Sequence, residues 1–319
     1  MPRAPHSGDW LSLLVLTLLW GSAFLLNELA LASFSPSVIV AGRIMIATLL
    51  VYGYLRLTGE TLPGPGRAWL PMLVLAVFGN VLPFHLIAWA QLHIESSLAG
   101  ILMAVMPLFV LTLAHFFVPG ARLTSYRVAG FVVGFTGVIV VIGPEFPQGF
   151  VGNAALLGAI AALGAALSYS ISAIYARRLG AGDPVKRAAG MLLVASMLSA
   201  PLALVDFSVV APPSVASAAA LIALGLLATG FATLLYFRLI EGPGPTFLSF
   251  VNYLVPAWAV IAGAVFLDES LSPPVFLGLA LILAGIGFSE LGSRAVERLA
   301  AMRSRYTRFS SPSTVKEDA

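Results

Sequence analysis

Long apolar runs alternate along this chain with short polar or proline-glycine breaks, and each run is about as long as a membrane is thick. A helix needs about 20 apolar residues to cross the hydrocarbon core. Ten segments meet that length, near 10–31, 37–57, 68–91, 97–117, 127–143, 152–176, 188–206, 215–238, 245–267 and 274–292. The breaks carry turn chemistry: Ser35-Pro36, Pro63-Gly64-Pro65-Gly66, Pro119-Gly120, Asp183-Pro184, Pro212-Pro213, Gly242-Pro243-Gly244-Pro245 and Pro273-Pro274. A closed β-barrel is the other way to span a bilayer. It would need alternating ten-residue strands, and the sequence has none. The pattern predicts an all-α membrane protein of ten transmembrane helices.

Composition agrees. The chain is 59% hydrophobic and 10% charged, with a mean hydropathy of +0.98, against roughly 25% charged residues in soluble domains. It has no cysteine, which removes disulfides and Cys-ligated metals; neither a metal nor a cofactor is expected. The first apolar stretch is too long for a signal h-region and reads as a retained first span.

Charge orients the helices. With the N-terminus inside, sixteen of the seventeen Lys and Arg residues fall on the cytoplasmic side, and the other, Arg43, lies within the second span. The opposite loops, 144–153 and 207–214, contain none. Such an asymmetry is the positive-inside pattern, and it puts both termini in the cytoplasm.

A repeat underlies the ten segments. An offset of 149 residues relates Trp20 to Tyr169, Pro107 to Pro256 and Phe117 to Phe266. After a one-residue gap, an offset of 148 relates Leu123 to Leu271, Gly130 to Gly278 and Gly137 to Gly285. Five spans is an odd number, so the second half enters the membrane from the opposite side. The predicted organisation is a cytoplasmic N-terminus (1–9), a first repeat (10–143), a second repeat (152–292) and a basic cytoplasmic tail (293–319). A 5+5 inverted repeat is a transporter architecture, with its site at the midplane between the halves.

Trp20-Gly21-Ser22-Ala23-Phe24, Ser35-Pro36 and Arg43 resemble the opening of an EamA domain. So do Ala166-Leu167-Ser168-Tyr169 leading to Ala176-Arg177-Arg178, and Phe266-Leu267-Asp268-Glu269-Ser270-Leu271-Ser272. The resemblance covers both halves and implies the drug/metabolite transporter superfamily, and with it a bacterial inner-membrane exporter. In length and spacing the chain is most similar to bacterial aromatic amino-acid exporters of the YddG type. One departure is visible: the first half has Gly120-Ala121-Arg122-Leu123-Thr124 where the family often keeps a glutamate, which implies that this acid is structural.

Polar groups inside spans are costly and so are functional candidates. Glu28 and Arg43, in the outer third by residue counting, read as an outer gate, as a proton-linked carboxylate, or as a structural ion pair. In the third span Asn80 and Pro83 lie near mid-membrane. Pro83 should bend the helix and free a carbonyl. His85 reads either as a substrate or proton ligand or as a packing residue, and Gln91 as solvated near the outer surface. Pro107 and Pro256 read as paired hinges or as inherited bends. The remaining candidate lining is Trp20, Trp89, Ser168, Tyr169, Thr229, Tyr236, Asn252, Tyr253 and Trp258, with Trp10, Trp69 and Tyr126 as interfacial anchors. Gly130, Gly134 and Gly137, with Gly278, Gly285 and Gly287, predict close packing of the fifth and tenth helices against each other or against a second protomer of a homodimer.

Aromatics, amides and hydroxyls suit a zwitterion with an apolar or aromatic side chain. No carboxylate is found near the midplane, which favours facilitated export over proton coupling. The alternative is proton-coupled export of drugs, purines or cofactor precursors. An intramembrane enzyme is disfavoured: there is no HExxH, GxSxG or P-loop, and no catalytic residue is assigned. A gated pore and an alternating-access carrier read alike at this level; the expectation is alternating access, with Pro83, Pro107 and Pro256 as the hinges. The expected partners are a small-molecule substrate and the lipid bilayer, with no nucleic acid.

Overall fold

The computed structural model describes residues 3–121, 124–142, 153–180, 182–206, 212–270 and 272–289. The loop 144–152 and the basic tail 293–319 lie outside the described residues. Among those described, the regular elements are helices, with no strand. Eight are long and apolar enough to cross a membrane: α1 (Ser7–Leu31), α2 (Pro36–Leu57), α3 (Trp69–Ala90), α4 (Ser96–Phe117), α5 (Ser125–Ile142), α6 (Ala154–Arg178), α7 (Pro184–Val205) and α8 (Val215–Glu241). Two shorter apolar helices come after them, α9 (Val251–Phe266) and α10 (Pro273–Ser289). One turn of helix, Pro245–Leu248, precedes α9.

The punctuation seen in the sequence becomes capping. Ser35 Oγ accepts from the Val38 N–H, with Pro36 in the first turn of α2. The same device recurs 148 residues later, where Asp183 Oδ1 accepts from Val185 and Lys186 ahead of Pro184. A capping carboxylate or hydroxyl satisfies donors that the first turn leaves without partners. Proline costs nothing there, because its missing N–H would be an orphan anyway. At the start of α1, Asp9 and His6 cap each other, and Arg3 grips Asp9 through both guanidinium ends.

Packing runs across the two halves of the chain. α2 lies along α7, α1 along α9 and α8, and α6 along α4 and α3; α8 also packs on α2, and α7 on α3. Exchanging the first five helices with the last five turns α1–α9 into α6–α4, α1–α8 into α6–α3 and α2–α8 into α7–α3. The α2–α7 pair maps onto itself, and at its middle the hydroxyls of Thr48 and Ser196, 148 residues apart, meet at 2.8 Å. Small residues allow these approaches. Ala159, Ala162, Ala165 and Ala166 of α6 are fully or almost fully buried.

α5 and α10 close on each other through glycine. A Cβ on Gly130 would strike Ser289 and the Gly285 carbonyl; one on Gly137 would strike the Gly278 carbonyl. Gly287 has open space around it and takes no part in the seam. The seam glycines are thus used within one chain and do not call for a second protomer. The outer surface stays apolar: Leu49, Leu57, Leu204 and Val215 are exposed, as lipid-facing positions must be. Trp10, expected as a belt anchor, also stacks edge-on against Phe247 at 4.7 Å, which ties the start of α1 to that of α9.

Candidate functional site

Pro83 sets the local structure of α3. Proline has no N–H, so the carbonyls of Phe78 and Gly79 lose backbone donors. α3 responds with a π-turn over Val77–Val81, in which the Leu82 N–H reaches back to the Val77 carbonyl. The stranded Phe78 carbonyl accepts instead from Ser168 Oγ of α6 at 2.9 Å. Asn80, inside the turn, is buried, and its Nδ2 has no hydrogen-bond partner among the described residues. The bend read from Pro83 is therefore a register change, and π-turns of this kind cluster at functional sites.

A second π-turn, Leu224–Phe231, occupies α8. It holds Thr229, 149 residues after Asn80. The Thr229 hydroxyl donates to the Leu224 carbonyl at 2.8 Å and accepts from both Nε (3.1 Å) and Nη2 (3.0 Å) of Arg43. Arg43 is 6% exposed, and its guanidinium carbon stands 3.7 Å from the centroid of Phe84, a cation–π contact. Phe84 in turn meets Tyr169 of α6 edge-on at 6.3 Å. Four helices, α2, α3, α6 and α8, thus converge on one buried cation.

The pairing of Glu28 with Arg43 is not what forms. Among the described residues the ion pairs are Arg3 with Asp9 and Lys186 with Glu60, with His6 also beside Asp9. Arg43 is drawn instead to Thr229 and the Phe84 ring. Glu28 lies 3.4 Å from Nε2 of Gln91. Gln91 is not solvated either: at 4% exposure it donates to the Phe24 carbonyl and accepts from Asn27, each at 2.9 Å, stitching α1 to α3.

Glu269 has a structural task. Asp268 adopts a left-handed backbone (φ 55°) after α9, which brings Glu269 over the start of α4. Its two carboxylate oxygens accept from the backbone N–H groups of Ser96 (2.8 Å) and Ser97 (3.0 Å). By the repeat offsets, Ala121 stands where Glu269 does, and Pro245, which has no N–H, stands where Ser96 does. The first half lacks the acid where the second half lacks one of the two donors it would serve. Burial and the nearby Glu269 charge push the Glu95 carboxyl above its ordinary range.

The other candidates separate into groups. Trp20 and Tyr236 face each other at 5.6 Å between α1 and α8. Trp258 donates to Ser22 Oγ at 2.8 Å and lies against Gly21, clamping α9 to α1. Asn252 faces a cavity of about 170 Å³ shared with Met106, Pro107, Val110 and Leu111, between α9 and α4, and Tyr253 packs against the apolar core beside it. His85 Nδ1 bonds to the Val81 carbonyl at 2.7 Å, while its Nε2 is buried without a partner among the described residues. Trp89 is 39% exposed and edge-on to His93, away from the Arg43 cluster. Pro107 and Pro256 differ in setting: α4 is interrupted at Ala104–Val105, immediately before Pro107, whereas α9 runs unbroken through Pro256.

Comparison with known proteins agrees with this architecture. A solved crystal structure matches with a TM-score of 0.67 at 23% identity, over 92% of this chain and 100% of that one, and so shares the fold. The Escherichia coli protein named as the uncharacterized inner membrane transporter YedA is 27% identical, over 88% of this chain and 90% of its own. The Bacillus subtilis transporter YvbV is 25% identical over 92% and 95%. A probable terminal-alkyne amino-acid exporter of Streptantibioticus cattleyicolor is 27% identical over 86% and 90%. The model of the EamA-like transporter family matches twice, at residues 7–143 and 156–290, and the chain belongs to that family.

Proposed function

We propose that this protein is a non-enzymatic inner-membrane exporter of small metabolites, with amino acids bearing apolar or aromatic side chains as the favoured class. Substrate passes by alternating access through the region where α2, α3, α6 and α8 meet, without cofactor or metal. The observation that carries this reading is the polar and aromatic cluster of Arg43, Thr229, Phe84 and Tyr169, drawn from both halves of the chain around a buried cation. A buried polar cluster at membrane depth is expensive and is kept for transport. The relative named as an amino-acid exporter points to the same substrate class.

Ten spans in an inverted 5+5 repeat, both termini cytoplasmic, fit the exchange of helix contacts between the halves and the matching π-turns in α3 and α8. Transport is taken as facilitative, because Glu28, the acid inside a span, lies against Gln91 rather than in the Arg43 cluster. Proton-coupled export of drugs or other metabolites is the alternative, and it would have to run through Glu28.

Efflux from proteoliposomes preloaded with a panel of radiolabelled amino acids, with and without a pH gradient, tests the proposal. Gradient-independent release of selected members is expected. Release that requires the gradient would favour the alternative, and no release from folded protein would reject amino acids as substrates.

A further inference from the structure

Arg43 is buried, cationic and without an acidic partner. Its Nε and Nη2 both lean on the Thr229 hydroxyl, which is neutral and spends its own proton on the Leu224 carbonyl. The π-face of Phe84 adds a partial counter-charge on one side. Among the described residues no carboxylate lies within ion-pair distance of the guanidinium. A full charge in a low-dielectric interior normally persists only when paired, and among the described residues Arg43 is the one Lys or Arg that lies within a span away from its ends.

The surrounding groups deepen the imbalance. Asn80 Nδ2 is buried and without a partner among the described residues, within the π-turn of the same helix that carries Phe84. Tyr169 meets the Phe84 ring edge-on at 6.3 Å. The cluster therefore offers donors and positive charge in excess of acceptors. Its complement is a flat, singly charged anion with two acceptor oxygens, which matches the guanidinium fork. A phosphate dianion would call for a second cation, and the spans supply none at that depth.

We infer that Arg43 is the anchor for the substrate's carboxylate, and that the transported class is small organic acids carrying one carboxylate, amino acids among them. Phe84 and Tyr169 flank the anchor and favour an apolar or aromatic remainder. This rests on the export reading and sharpens it: the carboxylate is an obligatory part of what is recognised. A structural role for Arg43 in holding the α8 π-turn accounts for the Thr229 bonds but demands nothing of the substrate.

The test takes the amino acid best released in the efflux panel and its carboxamide, in proteoliposomes of the full chain. The wild type is expected to prefer the acid by about tenfold or more, the scale of a charge-assisted hydrogen bond. Arg43→Gln should bring the ratio of acid to amide close to one, and Arg43→Lys should leave it in between, since lysine keeps the charge but not the fork. Loss of a buried arginine that unfolds the protein does not blunt the test, because the wild-type comparison stands by itself. A carboxamide that competes as well as the acid on wild-type protein overturns the anchor. So does a folded Arg43→Gln variant that keeps the wild-type ratio. Release of no panel member by folded wild type would instead reject amino acids as the exported class, and the anchor with it.

Discussion

Arg43 on α2 binds Thr229 on α8 through two guanidinium nitrogens, at 3.1 and 3.0 Å, across 186 residues of sequence. One hydroxyl thus joins the halves of the chain and holds the π-turn of α8 through the Leu224 carbonyl. Thr229→Val removes the acceptor and leaves a buried charge undersatisfied. It should cost about 3 kcal/mol of stability, while Thr229→Ser should be close to neutral. Thermal unfolding in detergent reads both. Equal melting temperatures for the two variants would show that the hydroxyl is not what holds Arg43.

Glu269 should behave as a capping residue and not as part of the transport site. Glu269→Ala strips the acceptors from Ser96 and Ser97, a loss of about 1–2 kcal/mol by comparison with other helix caps. KM for substrate should stay at the wild-type value. A raised KM in well-folded protein would place this acid on the substrate path.

The glycine seam makes a paired prediction. Gly285→Val forces side-chain atoms onto the Gly130 carbonyl and the Gly134 backbone, and should separate α5 from α10 at a cost of about 3 kcal/mol or more. Gly287→Ala, into open space, should leave stability within about 0.5 kcal/mol. Expression and melting temperature measured side by side check the contrast.

Pro256 interrupts the ladder inside α9, a helix otherwise continuous from Val251 to Phe266. Pro256→Ala restores a donor and stiffens the segment beside the Asn252 cavity. Membrane insertion should be normal and the transport rate lower by a few-fold, on the view that this helix bends during the cycle. Unchanged flux would remove the hinge.

Hydropathy located the helices because crossing a bilayer imposes length and apolarity on each segment separately. α2 runs from Pro36 to Leu57 where the apolar pattern spans 37 to 57. The α5–α10 seam was legible for a similar reason: glycine spacing on one helix already describes a surface that another backbone can approach. The polar contacts were harder. Counting residues gives depth along a helix but not the direction a side chain faces, so Glu28 and Arg43, neighbours in depth, read as a pair. Each π-turn then adds an extra residue to its helix, α3 or α8, and rotates the turns C-terminal to it. Gln91, C-terminal to the first, buries against Asn27 and Phe24, while Thr229, inside the second, meets Arg43. Pro83 signalled a bend and a freed carbonyl in α3, not the π-turn that accompanies them; no residue signals the π-turn of α8. The coupled loss of an acid near Ala121 and of a donor at Pro245 became readable only once Glu269 was seen over Ser96.

The most direct test of the central claim is trans-stimulation: release of a labelled amino acid from proteoliposomes, measured with and without the same unlabelled amino acid outside. An alternating-access exporter returns faster when loaded, so external substrate should accelerate release several-fold with no pH gradient imposed. Release that is indifferent to external substrate, or slowed by it in proportion to the lost gradient, would contradict alternating access and describe a pore.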